Sequence, residues 1–387
     1  MPLKFKRLLI NNSILTKKSL SLFIIVGEES ADNHGSNLIQ SILKLDSDIQ
    51  FNGIGGKKMI KEGLNSIEKL ENLAVMGFVE VISRIIFFKK LMSKVLHHIE
   101  TNKPDHIILI DYPGFNLRLA KKIKKKFNIP ITYYISPQLW AWKENRIEII
   151  KKYIDQILVI FPFEYKWYKE RGVDAIFVGH PIYKQWKFSK KEILCKILNL
   201  DENHPIITLF PGSRMQEINR HLPALILAAK KLKAKNNNFQ FIIGIAQHIN
   251  IDDRLIPKWI LLEKKYPQKA LECADVAVVA SGTSTIEAAV FGTPMVIIYK
   301  MSIFSWLISK LLIKVPYAGM VNIIAGSEIM PELLQNEVTP NKIYQHVIDI
   351  IDNPLKIKKM KCDLEEVKSL LKGKNTKSIA EYILNFK

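Results

Sequence analysis

Residues 206–218 read IITLFPGSRMQEI: an apolar run, a turn that contains a glycine, and the start of a helix. The same order recurs in FIIVGEESADNHG (23–35) and VVASGTSTIEAA (278–289). A buried apolar strand that runs through a turn into a helix is the βα unit of an open parallel sheet. The ligands of such sheets bind at the carboxyl ends of the strands, so these three loops are candidate binding sites.

Short β-branched runs alternate with helical patterns along the chain, which is typical of βαβ units. The runs are 22–26, 107–110, 131–135, 156–161, 206–210, 239–243, 276–279 and 295–298. The fold class predicted is α/β, with two Rossmann-like domains of mostly parallel sheets facing across a cleft. The predicted divisions are a basic N-terminal extension (1–21), a first domain (22–185), a linker (186–204), a second domain (205–350) and a C-terminal helical segment (351–387).

The composition fits two globular domains. The chain has 387 residues, of which 48% are hydrophobic and 24% charged, and this excludes disordered and fibrous proteins. Cys195, Cys273 and Cys362 show no C-x-x-C spacing, which argues against a disulfide framework or a thiolate zinc site. The nine histidines have no metal-ligand spacing either, so we expect no bound metal.

The charge is strongly basic and unevenly distributed. The net charge is +20, of which +14 falls in residues 1–200 and +6 in residues 201–387. No apolar run approaches the ~20 residues of a membrane-spanning helix. Nucleic-acid binding is not expected, because no recognised reader motif accompanies the charge.

The run HIILIDYPGFN (106–116) places a carboxylate at the end of an apolar strand. Asp111 there has the character of a general base, because apolar neighbours raise a carboxyl pKa. A helix cap or a turn carboxylate is the equally open alternative. The residues alone do not decide between these two interpretations.

Two loops have the character of phosphate sites. In 210–218 the start of a helix offers free N–H groups and Arg214 adds a forked donor, so this loop is predicted to bind an anion such as a diphosphate. The less favoured alternative is that Arg214 is a plain surface arginine. In 280–289 a hydroxyl-rich turn precedes Glu287, which could accept bonds from ribose hydroxyls. The alternative for Glu287 is a capping box, although Thr283 and Glu287 are not at its usual spacing.

Residues 72–99 have the periodicity of an amphipathic helix. The apolar stripe is widened by Ile85, Ile86, Phe87 and Phe88 and flanked by basic residues, among them Lys89 and Lys90. A helix lying in a membrane interface and a core helix with a solvated basic edge both fit this pattern.

Eight blocks follow one another along the chain: GEESADNHG (27–35), LAVMGFVEV (73–81), DYPGFN (111–116), YYISPQLWAWKENR (133–146), VGHP (178–181), FPGSRMQEI (210–218), ASGTSTIEAA (280–289) and VNIIAG (321–326). In this order they resemble the lipid-A-disaccharide synthase family of glycosyltransferases. The resemblance runs from about Leu22 to the C-terminus. The eight blocks together are far more specific than any one of them.

The resemblance implies a GT-B fold with the sugar nucleotide on the C-terminal domain. It implies an inverting, metal-independent hexosyltransferase without a cofactor, in lipid A biosynthesis. The 6-hydroxyl of 2,3-diacylglucosamine 1-phosphate would attack the anomeric carbon of UDP-2,3-diacylglucosamine, forming a β-1,6 linkage and releasing UDP.

The resemblance also assigns site residues. Asp111 becomes the candidate base and Arg214 the candidate diphosphate clamp, both catalytic. The donor side would comprise Gly212, Ser213, Arg214, Glu217, Ser281, Gly282, Thr283, Glu287, Asn322, Glu332 and Gln335. The acceptor side would comprise Glu28, Ser30, Asn116, Gln138 and Trp140. Ala31 stands where the family usually has glycine, and a positive φ there would strain it.

The lipid-bearing substrates would account for the apolar stripe and the basic first half. We therefore expect residues 85–90 to contact an anionic membrane, with the enzyme on the cytoplasmic face of the inner membrane. The two acylated sugars and the membrane are the expected partners, and homo-oligomer formation stays open. The alternative function is another GT-B enzyme of UDP-sugars, either a lipid transferase of the murein pathway or a UDP-sugar epimerase.

Overall fold

A computed structural model describes residues 19–73, 85–182, 186–247, 249–302, 306, 315–373 and 377–386. Its contacts divide the chain into two units. The first unit is Met1–Tyr133 with Ile379–Lys387, and the second is Tyr134–Ser378. The linker predicted at 186–204 stays a prediction. Within it, helix α7 (Lys191–Leu198) buries one face and contacts helix α9 (Pro267–Glu272) of the second unit.

The first sheet has seven strands in the order β3-β2-β1-β4-β5-β6-β7. Its strands are β1 (Leu20–Ile25), β2 (Ile49–Gly55), β3 (Leu64–Lys69), β4 (His106–Ile110), β5 (Ile131–Tyr134), β6 (Gln156–Val159) and β7 (Ala175–Phe177). The pairs β1–β2, β1–β4, β2–β3 and β6–β7 are parallel. All residues of β4 are buried, as expected for a strand that is covered on both faces.

The second sheet has six strands in the order β10-β9-β8-β11-β12-β13. Its strands are β8 (Ile206–Phe210), β9 (Gln240–Gly244), β10 (Ile260–Glu263), β11 (Val276–Ala280), β12 (Met295–Tyr299) and β13 (Glu332–Leu334). The pairings between neighbouring strands are parallel. Every residue of β8 and of β11 is buried.

Helices connect the strands. They are α1 (Glu29–Leu43), α2 (Lys57–Lys61), α3 (Ile85–Asn102), α4 (Pro113–Lys126), α5 (Ile147–Tyr153), α6 (Pro162–Lys169), α7, α8 (Met215–Lys235), α9 (Pro267–Glu272), α10 (Thr283–Phe291), α11 (Met320–Ala325), α12 (Pro340–Ile351), α13 (Pro354–Lys372) and α14 (Ile379–Leu384). The helical C-terminus expected from the sequence divides in two. Helix α13 packs on α10 in the second unit, and α14 packs on α1 in the first.

Both sheets have the strand order of a Rossmann fold, in which the order reverses between the first and the fourth strand. In the first sheet this switch point lies between β1 and β4, and in the second it lies between β8 and β11. The α/β prediction with two Rossmann-like sheets is confirmed. The loops singled out in the sequence are the ones that follow these four strands, so they lie where such sheets bind their ligands.

Candidate active site

The loops after β1 and β4 carry candidate residues of the first unit. Strand β1 leads through Gly27 to Glu28 at the start of α1, and β4 leads to Asp111 and Tyr112 before α4. A Cβ on Gly27 would lie 2.0 Å from the Tyr112 ring. The aromatic ring therefore rests on the β1 loop, and a side chain at position 27 would push the two loops apart.

The backbone at Asp111 is held in an uncommon conformation. Asp111 and Tyr112 both have positive φ, 47° and 52°, which costs an L-residue about 1–3 kcal/mol. The Asp111 carbonyl accepts hydrogen bonds from the Tyr133 hydroxyl (2.6 Å) and the Asn116 amide (2.7 Å). Asn116 is fully buried, so its amide group supports this turn.

The Asp111 carboxyl has a pKa suited to proton transfer at neutral pH. Burial, reinforced by the negative charge of Glu28, raises its pKa to about 7. Helix α4 begins at Pro113, and Tyr112 occupies the cap position in place of Asp111. The turn alternative is therefore partly right, because Asp111 does lie in a turn, but its carboxyl also has the pKa of a base.

The residues in the first turn of α1 have separate roles. Ser30 donates a hydrogen bond to Glu28 over 2.5 Å, and both residues are exposed. Ala31 lies within α1 in helical conformation, so the strain considered at this position does not arise. Asp32 is buried and accepts the N–H groups of Gly56 and Met59 at the start of α2, which makes it a structural cap.

The loop after β5 contains Gln138 and Trp140, expected on the acceptor side. Gln138 is exposed, whereas Trp140 is buried and its indole N–H donates to Glu164 over 3.1 Å. Glu164 also accepts bonds from the Ser136 hydroxyl and the Phe161 N–H. Sequence reasoning overlooked Glu164, although a glutamate after the buried strand β6 was a visible signal. Burial raises its pKa to about 7.

We expect Glu164→Gln to destabilise the fold by about 1–3 kcal/mol. The amide nitrogen of glutamine cannot accept a hydrogen bond, so a buried donor that faces it loses its acceptor. Denaturant unfolding at pH 4 measures this change, because burial raises the Glu164 pKa to about 7, so the carboxyl is protonated at pH 4 and the loss of its charge does not contribute. Glu170→Gln, just beyond the same helix and exposed, is the matched control and should change the stability by less than about 0.5 kcal/mol. Equal effects of the two variants would contradict the structural role of Glu164.

The loop after β8 is organised around Glu217. Gly212 has φ 128°, and a Cβ there would lie 2.5 Å from a Glu217 carboxylate oxygen. Glu217 accepts the Ser213 N–H over 3.0 Å and pairs with Arg214 at 3.3 Å. Its carboxylate thus holds an N–H that would otherwise be open to an anion at the start of α8. A diphosphate that uses this N–H must displace Glu217 from it.

The loop after β11 brings hydroxyls and a carboxyl to the second switch point. Gly282 has φ 152° and is the cap residue of α10, while Thr283 is exposed at its first position. The Ser281 hydroxyl donates to the Ala318 carbonyl over 2.6 Å. Since Gly282 has no side chain, a capping box with Glu287 is ruled out. Burial raises the Glu287 pKa to about 7, against the effect of a hydrogen bond from Gln268.

The buried Asn322 and the half-buried Glu332 form a polar cluster. The Asn322 amide donates to the Met330 carbonyl and to Glu332, each over 2.8 Å, and its oxygen accepts the N–H groups of Ile329 and Met330. Glu332 in turn accepts the N–H of Gly319 over 2.9 Å. A direct bond from Asn322 to a nucleotide would require one of these bonds to break, so its direct contact remains a prediction.

Gln335 follows β13, next to the end of the same sheet. Its backbone has φ 52°. In the orientation that gives both polar atoms of its side-chain amide a partner, the nitrogen donates to the Met301 carbonyl and the oxygen accepts the Met301 N–H. The side chain therefore fixes the loop after β12. Whether it also contacts a nucleotide stays a prediction.

Helix α3 begins with an exposed apolar turn. Ile85 and Ile86 are exposed, the latter by 68%, while Phe87 and Phe88 are half-buried and Lys89 and Lys90 are exposed. From Leu91 onward the helix buries one face. The core-helix interpretation therefore holds from Leu91 onward, whereas contact of the exposed first turn with a membrane stays a prediction. Positions 74–84 of the predicted helix lie outside the described residues.

Within the described ranges, no helix is long and apolar enough to cross a membrane. Among the same residues, no three His, Cys, Asp or Glu side chains are grouped so as to hold a metal ion.

Comparison with known proteins identifies the family. The lipid-A-disaccharide synthetase family model matches residues 22–385. Lipid-A-disaccharide synthase 1 of Legionella pneumophila is 40% identical over 354 residues, which is 90% of this chain and 92% of the relative.

Two solved structures are similar in fold. One is a UDP-GlcNAc 2-epimerase from Neisseria meningitidis bound to UDP-GlcNAc (TM-score 0.61, 12% identity, covering 91% of this chain and 96% of that one). The other is the glycosyltransferase of kitacinnamycin (TM-score 0.60, 12% identity, covering 91% and 95%). The resemblance of the eight sequence blocks and the GT-B type of fold are confirmed: this chain belongs to the lipid-A-disaccharide synthetase family of glycosyltransferases.

Proposed function

We propose that this enzyme transfers 2,3-diacylglucosamine from its UDP derivative to the 6-hydroxyl of 2,3-diacylglucosamine 1-phosphate. The observation that carries the proposal is the Asp111 carboxyl, which has a pKa of about 7 and lies at the switch point of the first sheet. Family membership supplies the class of reaction. The other GT-B functions considered above lose support, because the epimerase likeness is one of fold alone.

The reaction is a single displacement. Asp111 takes the proton of the 6-hydroxyl as its oxygen attacks the anomeric carbon, and the bond from that carbon to the diphosphate oxygen breaks. UDP leaves with the bonding electron pair, and the configuration at the anomeric carbon inverts. No metal or cofactor is required in this scheme if protein groups balance the charge of the leaving group.

The donor groups would come from the second sheet. Arg214 and the N–H groups at the start of α8 would bind the diphosphate, with Thr283 and Gly282 adding donors. Glu287 would accept a ribose hydroxyl. Asn322 and Glu332 would act by shaping the loop before α11, since their polar atoms already bond within the chain.

An aromatic path supports acylated substrates. The Phe88 ring lies 6.3 Å from Phe115, which lies 6.1 Å from Tyr112 beside Asp111. Phe88 is in the first turn of α3, next to the exposed Ile86. An acyl chain lying along these side chains would connect a membrane at Ile86 with the sugar at Asp111.

Membrane contact predicts that Ile86→Asp weakens binding to vesicles with anionic lipid about 10-fold or more, since burial of one isoleucine contributes about 1.5–3 kcal/mol. Vesicle co-sedimentation at low salt measures this. Leu355→Asp is the matched control, because Leu355 is 80% exposed at the start of α13. Equal loss in both variants, or no binding by the wild type, would contradict contact of α3 with an anionic inner-membrane leaflet.

The proposed reaction is tested by incubating the wild type with both acylated sugars in EDTA and following UDP and disaccharide together. We expect one UDP for each disaccharide. A UDP-GlcNAc epimerisation assay in parallel distinguishes the rival function. UDP binding without disaccharide formation would refute the proposed substrates and retain the nucleotide site.

A further inference from the structure

His221 lies on α8, one turn beyond Glu217, and is completely buried. Its Nδ1 atom lies 2.7 Å from the carbonyl of Pro211, in the loop that follows β8. Its Nε2 atom lies 2.8 Å from the backbone nitrogen of Lys300, just beyond β12. One imidazole thus connects the end of β12 with the loop after β8, residues 211–214, which is called the diphosphate loop because it is proposed to bind the diphosphate.

The two partners determine the protonation state of the ring. The Lys300 N–H can only donate, so Nε2 must be the acceptor and the proton must be on Nδ1, which donates to the Pro211 carbonyl. A doubly protonated ring has no acceptor for the Lys300 N–H. Protonation of His221 would therefore break the contact with β12 and leave a buried N–H without a partner.

We propose that neutral His221 is a positioning residue for the diphosphate loop: by fixing Pro211 to the end of β12, it holds the N–H groups of 212–214 and the Arg214 backbone ready for the leaving UDP. This inference rests on the proposed function, because it assigns the loop to UDP. His221 itself does not touch the reacting atoms. The Tyr299 ring, 6.2 Å from the imidazole, closes the cluster on the β12 side.

The charges around His221 favour the neutral ring. Burial lowers its pKa first, and Arg220 on α8 and Lys300 beyond β12 lower it further, whereas Glu217 and the bond to Pro211 raise it. The net shift is downward from the usual 6.5. The contribution of this contact is thus present at neutral pH and is lost as the pH falls through the lowered pKa.

The test measures UDP affinity between pH 5 and pH 8 for wild type, His221→Gln and His221→Leu. Glutamine presents a donor and an acceptor about as far apart as the two ring nitrogens, and it does not titrate in this range. At pH 8 we expect His221→Gln to retain most of the affinity and His221→Leu to lose it about 10-fold or more. As the pH falls through the lowered pKa of His221, the wild type should lose more affinity than His221→Gln.

The three proteins are compared at the same pH, because the ionisation of UDP itself then affects all three affinities equally. Thermal melts at each pH identify a variant that has merely lost stability. Equal UDP affinity of wild type and His221→Leu, or equal losses of affinity in His221→Gln and His221→Leu, would overturn the inference while leaving the proposed function intact. Failure of the wild type to bind UDP at pH 8 would overturn both.

Discussion

Asp111→Asn is expected to lower kcat by about 10²-fold or more while leaving UDP affinity unchanged, because the carboxamide cannot accept the proton of the attacking hydroxyl. In the wild type, kcat/KM should rise with pH up to about 7, where Asp111 loses its proton, and this acid limb should be absent from the residual activity of the variant. Steady-state kinetics across pH 5 to 9 measures both effects.

Stability distinguishes loss of the base from loss of the fold. Because the folded-state pKa of Asp111 is raised, the protonated carboxyl favours folding, and this contribution is lost as the pH rises through about 7. Asparagine resembles the protonated form, so the variant should melt at a higher temperature than the wild type at pH 8. Asp48→Asn, in an exposed loop of the same unit, is the control and should alter neither property. A variant with full activity would refute the assignment of Asp111.

Arg214→Ala should lower kcat/KM by about 10²–10³-fold and also weaken UDP binding, because the diphosphate would lose a charged donor as it departs. The side chain is 56% exposed and paired with Glu217, so it can turn toward a ligand at little cost. Arg214→Lys should recover part of the activity, since it restores the charge without the fork. Single-turnover rates and UDP titrations separate the two effects.

Arg254→Ala is the matched control for Arg214. Arg254 is also paired with a carboxylate near in sequence, Asp252, and its side chain is 90% exposed. Its removal should leave turnover and UDP affinity within about twofold. If Arg214→Ala also left turnover and UDP affinity within about twofold, Arg214 would be a plain surface arginine, which is the alternative interpretation of the sequence.

The interior strands were predictable from sequence, because a strand covered on both faces is a continuous apolar run. Five strands were not predicted. Four of them, β3, β7, β10 and β13, are the edges of the two sheets, where only part of the strand is covered and polar residues are tolerated. The interior strand β2 was not predicted because Gly53 interrupts its apolar run. Only glycine fits at this position, since a Cβ there would come within 1.8 Å of the Ile24 carbonyl oxygen.

The candidate loops were also predictable, because strand-to-helix turns follow from local pattern. What could not be predicted is how the side chains within them are paired. The Glu164 contacts with the loop after β5 and the Asn322–Glu332 cluster both depend on tertiary packing. The hydrogen bond from the Tyr133 hydroxyl to the Asp111 carbonyl likewise joins residues that are distant in sequence. Such long-range contacts leave no local signature.

The anomeric configuration of the product tests the central claim most directly. Proton NMR of the disaccharide formed from an α-linked UDP donor reports both the configuration and the position of the new bond. A β linkage to the 6-hydroxyl is predicted, because a single displacement assisted by Asp111 inverts the anomeric carbon. An α linkage would require a second nucleophile and would contradict the account.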